Sequence, residues 1–302
     1  MTSEHQIRIV QFLLEHFGEQ LKAVVAFGSV ATGQAKSESD LDLLVVAEGL
    51  PARWPERKPT LIHLTSRLRM GRHVDLVLVT PEECRENFES HHPLYLDIAF
   101  DGMIFFDRDF VATLMEETKA YVARRGILRK KTGWRFPVEY RKETPLSKVT
   151  NGNWAKVWLE DAIRDLAVAQ VIKTQQVYEK AVYHCQQAVE KYIKAILICW
   201  GEFEKSHYVS DVLVECLAER TIDPEWRAKL EAVAQIGKDI EPEVGLSRYP
   251  AKVGDDWWIP AEEYDEPTAE DWIKKAEHVV NVTREFVDWW FHPEKSDSAS
   301  AE

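Results

Sequence analysis

Three aspartates of this chain are the residues best suited to chemistry: Asp40 and Asp42 in Asp40-Leu41-Asp42, and Asp75 in Val74-Asp75-Leu76-Val77-Leu78-Val79. Successive side chains of a strand point to opposite faces, so Asp40 and Asp42 project from one side while Leu41 and Leu43 face the other. Two carboxylates about 7 Å apart along a strand edge repel unless something cationic sits between them. Hard oxygen ligands of this kind suit Mg2+ or Mn2+. Asp75 stands in a run otherwise too apolar to tolerate an unpaired charge cheaply, and a neighbouring strand could bring it beside the other two. Three carboxylates around two cations can hold a triphosphate and activate an attacking hydroxyl.

Gly28 and Ser29 fit the same site. Gly28 has no Cβ, so a phosphate can approach the backbone, and the N–H groups that follow can form an anion-binding nest. The Ser29 hydroxyl can donate to a phosphate oxygen, and Gly33 lets the connecting loop turn back. Read this way, the acids hold metal, the Gly-Ser turn holds the β- and γ-phosphates, and pyrophosphate leaves. Gly-Ser alone is an ordinary turn, and Asp-Leu-Asp alone an exposed strand end. Their combination, followed by a lone Asp in an apolar run, is what points to a site.

The elements that must position these residues follow from periodicity. Ile7, Val10, Leu13, Leu14 and Phe17 predict an amphipathic helix over residues 6–17, ended by Gly18. Short β-rich runs cover 21–27, 41–47 and 74–79, the last closed by Thr80-Pro81. Residues 60–70, 92–100 and 110–125 read as helices and 103–106 as an edge strand. Strands alternating with helices predict an α/β (α+β) domain over residues 1–125, built on a small mixed sheet. Residues 126–152 lose the pattern and read as a basic linker. Helices near 154–174, 177–200, 208–220, 225–239 and 268–291 predict an all-α up-down bundle over 153–292, with a long loop over 241–267. Residues 293–302 read as a disordered polar tail.

The 302 residues carry a net charge of −13. Residues 1–125 hold 14 Lys/Arg against 19 Asp/Glu, residues 126–150 hold 7 against 2, and residues 151–302 hold 17 against 30. A chain this acidic is a poor candidate for gripping long nucleic acid through its phosphates. Four well-separated cysteines predict reduced thiols. Without an apolar run of about 20 residues or a signal-like start, the expected setting is cytoplasmic, with no membrane contact.

Gly28-Ser29-x10-Asp40-x-Asp42 resembles the signature of the minimal nucleotidyltransferases (MNT) of the DNA polymerase β superfamily. Val74-Asp75-Leu76-Val77 resembles their third-carboxylate strand, and 93–99 with 102–107 the segments that close such domains. The resemblance covers about residues 5–125. It implies transfer of a nucleoside monophosphate, usually AMP from ATP, onto a hydroxyl with two Mg2+. Asp40, Asp42 and Asp75 would be catalytic and metal-holding, Gly28 and Ser29 nucleotide-binding.

Residues 183–195, Tyr-His-Cys-Gln-Gln-Ala-Val-Glu-Lys-Tyr-Ile-Lys-Ala, resemble the central helix of HEPN domains. Ser206-His207 and Ser247-Arg248-Tyr249-Pro250 fit the same pattern, over residues 154–291. Ala181, Cys185, Ala188, Tyr192 and Ala195 form a small-residue stripe for close helix packing. Gln187, Glu190, Lys191 and Lys194 read either as a solvated face with i,i+4 pairs or as a nucleotide or partner contact. Many HEPN domains are RNases using Arg-x4–6-His, but His184, His207, His278 and His292 lack an Arg at that spacing. Arg284 and His292 have seven residues between them, and the formal match of Arg67 with His73 lies in the other domain. The expectation is a helical domain that binds rather than cuts, and one that pairs into a homodimer as such helices commonly do.

Arg124, Arg125, Arg129, Lys130, Lys131, Arg135, Arg141 and Lys142 surround Trp134, Phe136 and Tyr140. They could stack bases and pair phosphates, or simply pack their aromatics as a connection. Trp257-Trp258 and Trp289-Trp290 read as core or dimer contacts, or as a ligand cage. The leading expectation is a nucleotidyltransferase whose acceptor site is walled by the helical domain. The acidity of that domain favours a cationic small molecule over RNA, in line with a resemblance to aminoglycoside (kanamycin) nucleotidyltransferases. A protein hydroxyl is a further acceptor. The alternative is an MNT–HEPN regulatory, antitoxin-like nucleotide-binding protein without RNase activity.

Overall fold

Strands buried on both faces lose the in–out alternation of a half-exposed sheet and become continuously apolar. Leu21–Phe27 (β1) and Leu41–Ala47 (β2) are of that kind, with only Lys22 and Asp42 half-exposed. The computed structural model describes residues 3–33, 39–68 and 73–292, and the chain divides into two units, Met1–Gly126 and Ile127–Glu302.

In the first unit β2 pairs parallel with Val74–Val79 (β3), and β1 pairs antiparallel with β2 and with Met103–Asp107 (β4). The strand order is β3-β2-β1-β4, a small mixed sheet. The helices are α1 (Ser3–Phe17), the single turn α2 (Gly28–Ala31), α3 (Lys58–Arg67), α4 (Pro81–Glu89), α5 (Pro93–Asp101) and α6 (Val111–Arg125). Alternate strand residues sort into two cores. Val24, Ala26, Leu41, Leu43 and Val45 pack with Ile9 and Leu13 of α1 and Leu64 of α3. Val25, Phe27, Leu44 and Val46 pack with Phe88 of α4, Ile98 of α5 and Leu114 of α6. The sheet is therefore a middle layer between two layers of helix.

Thr80-Pro81 does more than end β3. Thr80 accepts from the Glu83 N–H while Glu83 accepts from the Thr80 N–H, a reciprocal cap that starts α4 with Pro81 in its first turn. Glu83 also pairs with the fully buried Arg57 at 2.7 Å, and Arg57 Nη1 donates to the Leu78 carbonyl. The junction between sheet and α4 is thus fixed by hydrogen bonds as well as by packing.

The second unit is mainly helical: α7 (Asn151–Thr174), α8 (Tyr178–Cys199), α9 (Ser210–Glu219), α10 (Pro224–Ile240), the single turns α11 (Glu243–Leu246) and α12 (Pro260–Glu263), and α13 (Glu266–Phe291). Helix α8 is central, and Ala181, Cys185, Ala188, Tyr192 and Ala195 are all fully buried along it. Residues 127–150 belong to this unit. Leu128–Arg129 (β5) and Gly133–Arg135 (β6) form a small sheet with Glu202–Glu204 (β7). A Cβ on Gly133 would sit 1.8 Å from the Phe203 carbonyl oxygen, so only glycine lets these backbones meet. Trp134 and Phe136 are core residues, and Arg135 is paired with Glu202 and Glu219. For Trp134 and Phe136 the packing reading therefore holds over the base-stacking one, whereas Tyr140 is 60% exposed. The stretch read as a long loop contains a hairpin, Ala251–Val253 (β8) with Asp256–Trp258 (β9). The tail 293–302, and residues 69–70 of the helix read over 60–70, lie outside the described residues. Among the described residues no helix is long and apolar enough to cross a membrane.

Candidate functional site

The parallel register of β2 with β3 places Asp42 directly opposite Asp75. Both stand on the sheet face that carries Leu44 and Val46, the α4–α6 side. Asp40 lies just before β2, where the Leu41 N–H donates to the His73 carbonyl at 2.9 Å and joins the starts of the two strands. The three aspartates predicted from sequence are thereby gathered at one end of two adjacent strands.

Phe27 is the register partner of Asp42 on β1, and Gly28 follows it immediately. Gly28 has φ +70, and a Cβ there would lie 2.3 Å from Asp42 Oδ2. The Gly28-Ser29 turn is thus in van der Waals contact with the middle carboxylate. The turn is closed by Thr32, whose Oγ1 donates to the Gly28 and Ser29 carbonyls at 3.3 and 3.2 Å. That leaves the N–H groups at the start of this turn without an intrahelical acceptor, as at any helix start.

Asp42 is the deeper of the acids. Burial raises its carboxyl above the ordinary aspartate value, and the nearby charges of Asp75 and then Asp40 raise it further. A divalent cation between these groups would offset that repulsion, so the donor set fits the metal that such a site implies. One residue of this cluster escaped the sequence reading. His73 Nδ1 lies 3.3 Å from Asp75 Oδ1 and 3.9 Å from Asp40 Oδ1. The ligand atoms of Asp40, His73 and Asp75 all lie within 4.8 Å of one another. His73 is two residues before Asp75, a spacing that puts both on one strand face.

In the second unit, polar residues of α8 that could have been a solvated face are largely enclosed. Glu190 is 6% and Lys194 8% exposed. Glu190 accepts from Lys194 Nζ at 2.9 Å and from Gln186 Nε2 at 3.1 Å, and lies 2.9 Å from His207 Nδ1. Lys191 Nζ contacts Asp161 and Asp165 of α7 at 2.6 and 2.5 Å. Glu190 and Lys194 thus form a buried pair along α8, while Lys191 ties α8 to α7. Trp290 is core, whereas Trp257 is 65% exposed on its hairpin.

Residues 7–106 match the nucleotidyltransferase domain family, and residues 155–286 match the HEPN domain family. The chain is similar to "Putative toxin MJ1304" of Methanocaldococcus jannaschii, 36% identical over 137 residues, which is 45% of this chain and 90% of that protein. It is also similar to "Putative protein adenylyltransferase MJ1305" of the same organism, 35% identical over 113 residues, 36% of this chain and 76% of that protein. Among solved structures, a nucleotidyltransferase-like protein from Exiguobacterium sibiricum aligns over 96% of this chain and 79% of its own length, at 11% identity and TM-score 0.41. Through its first unit the chain belongs to the nucleotidyltransferase family, and through its second to the HEPN family.

Proposed function

We propose that the chain transfers AMP from ATP onto a hydroxyl group, and that the acceptor is a protein side chain. The observation that carries the reading is the placement of Asp42 opposite Asp75 and against Gly28. Asp40, Asp42 and Asp75 would hold Mg2+ or Mn2+, and Gly28 and Ser29 the β- and γ-phosphates. When bound, the metal would supply charge to neutralise the phosphates and would lower the pKa of the acceptor hydroxyl. The acceptor oxygen attacks the α-phosphorus, a new P–O bond forms, the bond to the bridging oxygen of the β-phosphate breaks, and pyrophosphate departs. The hydroxyl proton passes to a base.

The protein acceptor is favoured by the name of one relative, a protein adenylyltransferase. The other relative is named as a toxin, and this chain carries both families in one polypeptide. That favours, as a second reading, a regulatory MNT–HEPN protein in which nucleotidyl transfer or nucleotide binding controls a partner or the chain itself. Pairing into a homodimer belongs to this proposal. The excess of acid in residues 151–302, 30 against 17 basic residues, keeps a cationic small molecule as the competing acceptor and disfavours RNA.

Incubation of the full chain with α-labelled ATP and Mg2+ or Mn2+ tests the proposal. Label on protein, with one pyrophosphate per AMP and loss of both in Asp42→Asn, is the expected result. Label on an aminoglycoside-like amine-rich alcohol but never on protein moves the acceptor to small molecules. Binding of ATP with no transfer to proteins, small molecules or RNA removes the enzyme reading.

A further inference from the structure

We infer that His73 is a metal ligand, so that the site holds its cation with a mixed nitrogen–oxygen set, Asp40, His73 and Asp75, that favours a first-row transition ion over Mg2+. The inference rests on the proposed nucleotidyl transfer only for the need of a cation; the identity of the ligands comes from the geometry. Two ligands of one ion stand at most about 4.2 Å apart, twice a metal–oxygen distance of about 2.1 Å. His73 Nδ1 is already within that span of Asp75 Oδ1 and Asp40 Oδ1, at 3.3 and 3.9 Å. The backbone of His73 is fixed beside the start of β2, because its carbonyl accepts from the Leu41 N–H at 2.9 Å.

A surface ion pair is the competing reading. The side chains of Asp40, His73 and Asp75 are each more than half exposed, and pairs in that setting contribute little stability. Ion pairing alone is therefore a weak reason for the imidazole to stand within 4 Å of two carboxylates near a third, Asp42. A cation gives one. Imidazole nitrogen suits Fe2+, Ni2+ and Zn2+, whereas Mg2+ is taken by oxygen. Asp42, deeper and facing Asp75 across the strands, remains available to a second cation brought by the triphosphate.

The test uses the full chain with Mn2+ alone, and again with Mn2+ and ATP, read by electron spin-echo spectroscopy and by competition with Mg2+. The expected result is nitrogen modulation of the Mn2+ echo that vanishes in His73→Asp. The dissociation constant of Ni2+, an ion that imidazole suits, should rise about tenfold in that variant, and an unchanged value overturns the inference. Mg2+ binding should change by less than about twofold, because His73→Asp leaves an all-carboxylate set of the kind Mg2+ prefers. Retained Mg2+ binding also shows that the variant is folded. Mn2+ bound without nitrogen modulation, or with modulation that survives His73→Asp, overturns the inference and leaves nucleotidyl transfer standing. Failure of either cation to bind, with or without ATP, overturns the inference and the metal-dependent transfer together.

Discussion

Gly28 and Asp42 are in contact across the β1–β2 ladder: the glycine takes φ +70, and a Cβ on it would lie 2.3 Å from the Asp42 carboxylate. Gly28→Ala is therefore disfavoured twice, by the left-handed backbone and by the collision with Asp42. The backbone term costs about 1–2 kcal/mol. Thermal unfolding should shift down by a few degrees, while nucleotidyl transfer falls by at least about tenfold because Asp42 must turn aside. Transfer that survives with unchanged kcat would mean that the Gly-Ser turn is only a turn.

Arg57 is fully buried, and its guanidinium is held by Glu83, by the Pro51 and Leu78 carbonyls and by the face of Trp54. The hydrogen bond from Arg57 holds the Glu83 carboxyl below the ordinary glutamate value. A carboxyl shifted down contributes stability that is present above its unfolded pKa and lost as pH falls through the folded value. Urea unfolding of the wild type should therefore weaken more between pH 7 and pH 3 than that of Glu83→Gln. At pH 7, Glu83→Gln should be less stable by about 1–3 kcal/mol. Equal pH slopes in the two proteins would contradict this.

Lys194 and Glu190 make a buried i,i+4 pair inside the helical unit. Lys194→Met leaves the carboxylate buried with one cationic partner fewer and should cost about 3 kcal/mol. Adding Glu190→Gln should recover much of that loss, since the stranded charge is then gone. A double variant no more stable than Lys194→Met would show the two residues uncoupled, in a double-mutant cycle by urea unfolding.

All four cysteines are buried and unbridged. Burial pushes the thiols of Cys84, Cys185 and Cys216 up to about 12, and that of Cys199 well above its ordinary value. Few thiolates exist at pH 8, so iodoacetamide should leave the native protein unmodified by mass while labelling the urea-unfolded chain four times. Labelling of the native chain at a rate near that of a free thiol would show a cysteine open to solvent.

Much of the sheet and its acids was legible because strand periodicity is local. Asp40-Leu41-Asp42 and Asp75 each announce their face from two-residue spacing alone, and β1, β2 and β3 fall where the apolar runs lie. His73 was legible by the same rule, since it shares a face with Asp75, but a histidine in a run of Arg and Gly gives no apolar signal. Helix α4 had its signal too: Thr80-Pro81-Glu82-Glu83 is a cap as well as a strand stop. The β5–β6–β7 sheet had none. Its strands are two or three residues long, and β6 finds its partner β7 almost seventy residues away, so no window of sequence contains the pairing. The enclosure of Glu190 and Lys194 was hidden for a related reason. An i,i+4 ion pair looks the same in sequence on a solvated face and on a helix surrounded by others.

The most direct measurement of the central claim is a crystal structure of the full chain with a non-hydrolysable ATP analogue and Mn2+. Metal density is expected between the triphosphate and Asp42 and Asp75, with the β- and γ-phosphates against the Gly28-Ser29 backbone. An analogue bound away from these residues, or bound over them with no metal in contact with Asp40, Asp42 or Asp75, would contradict that claim.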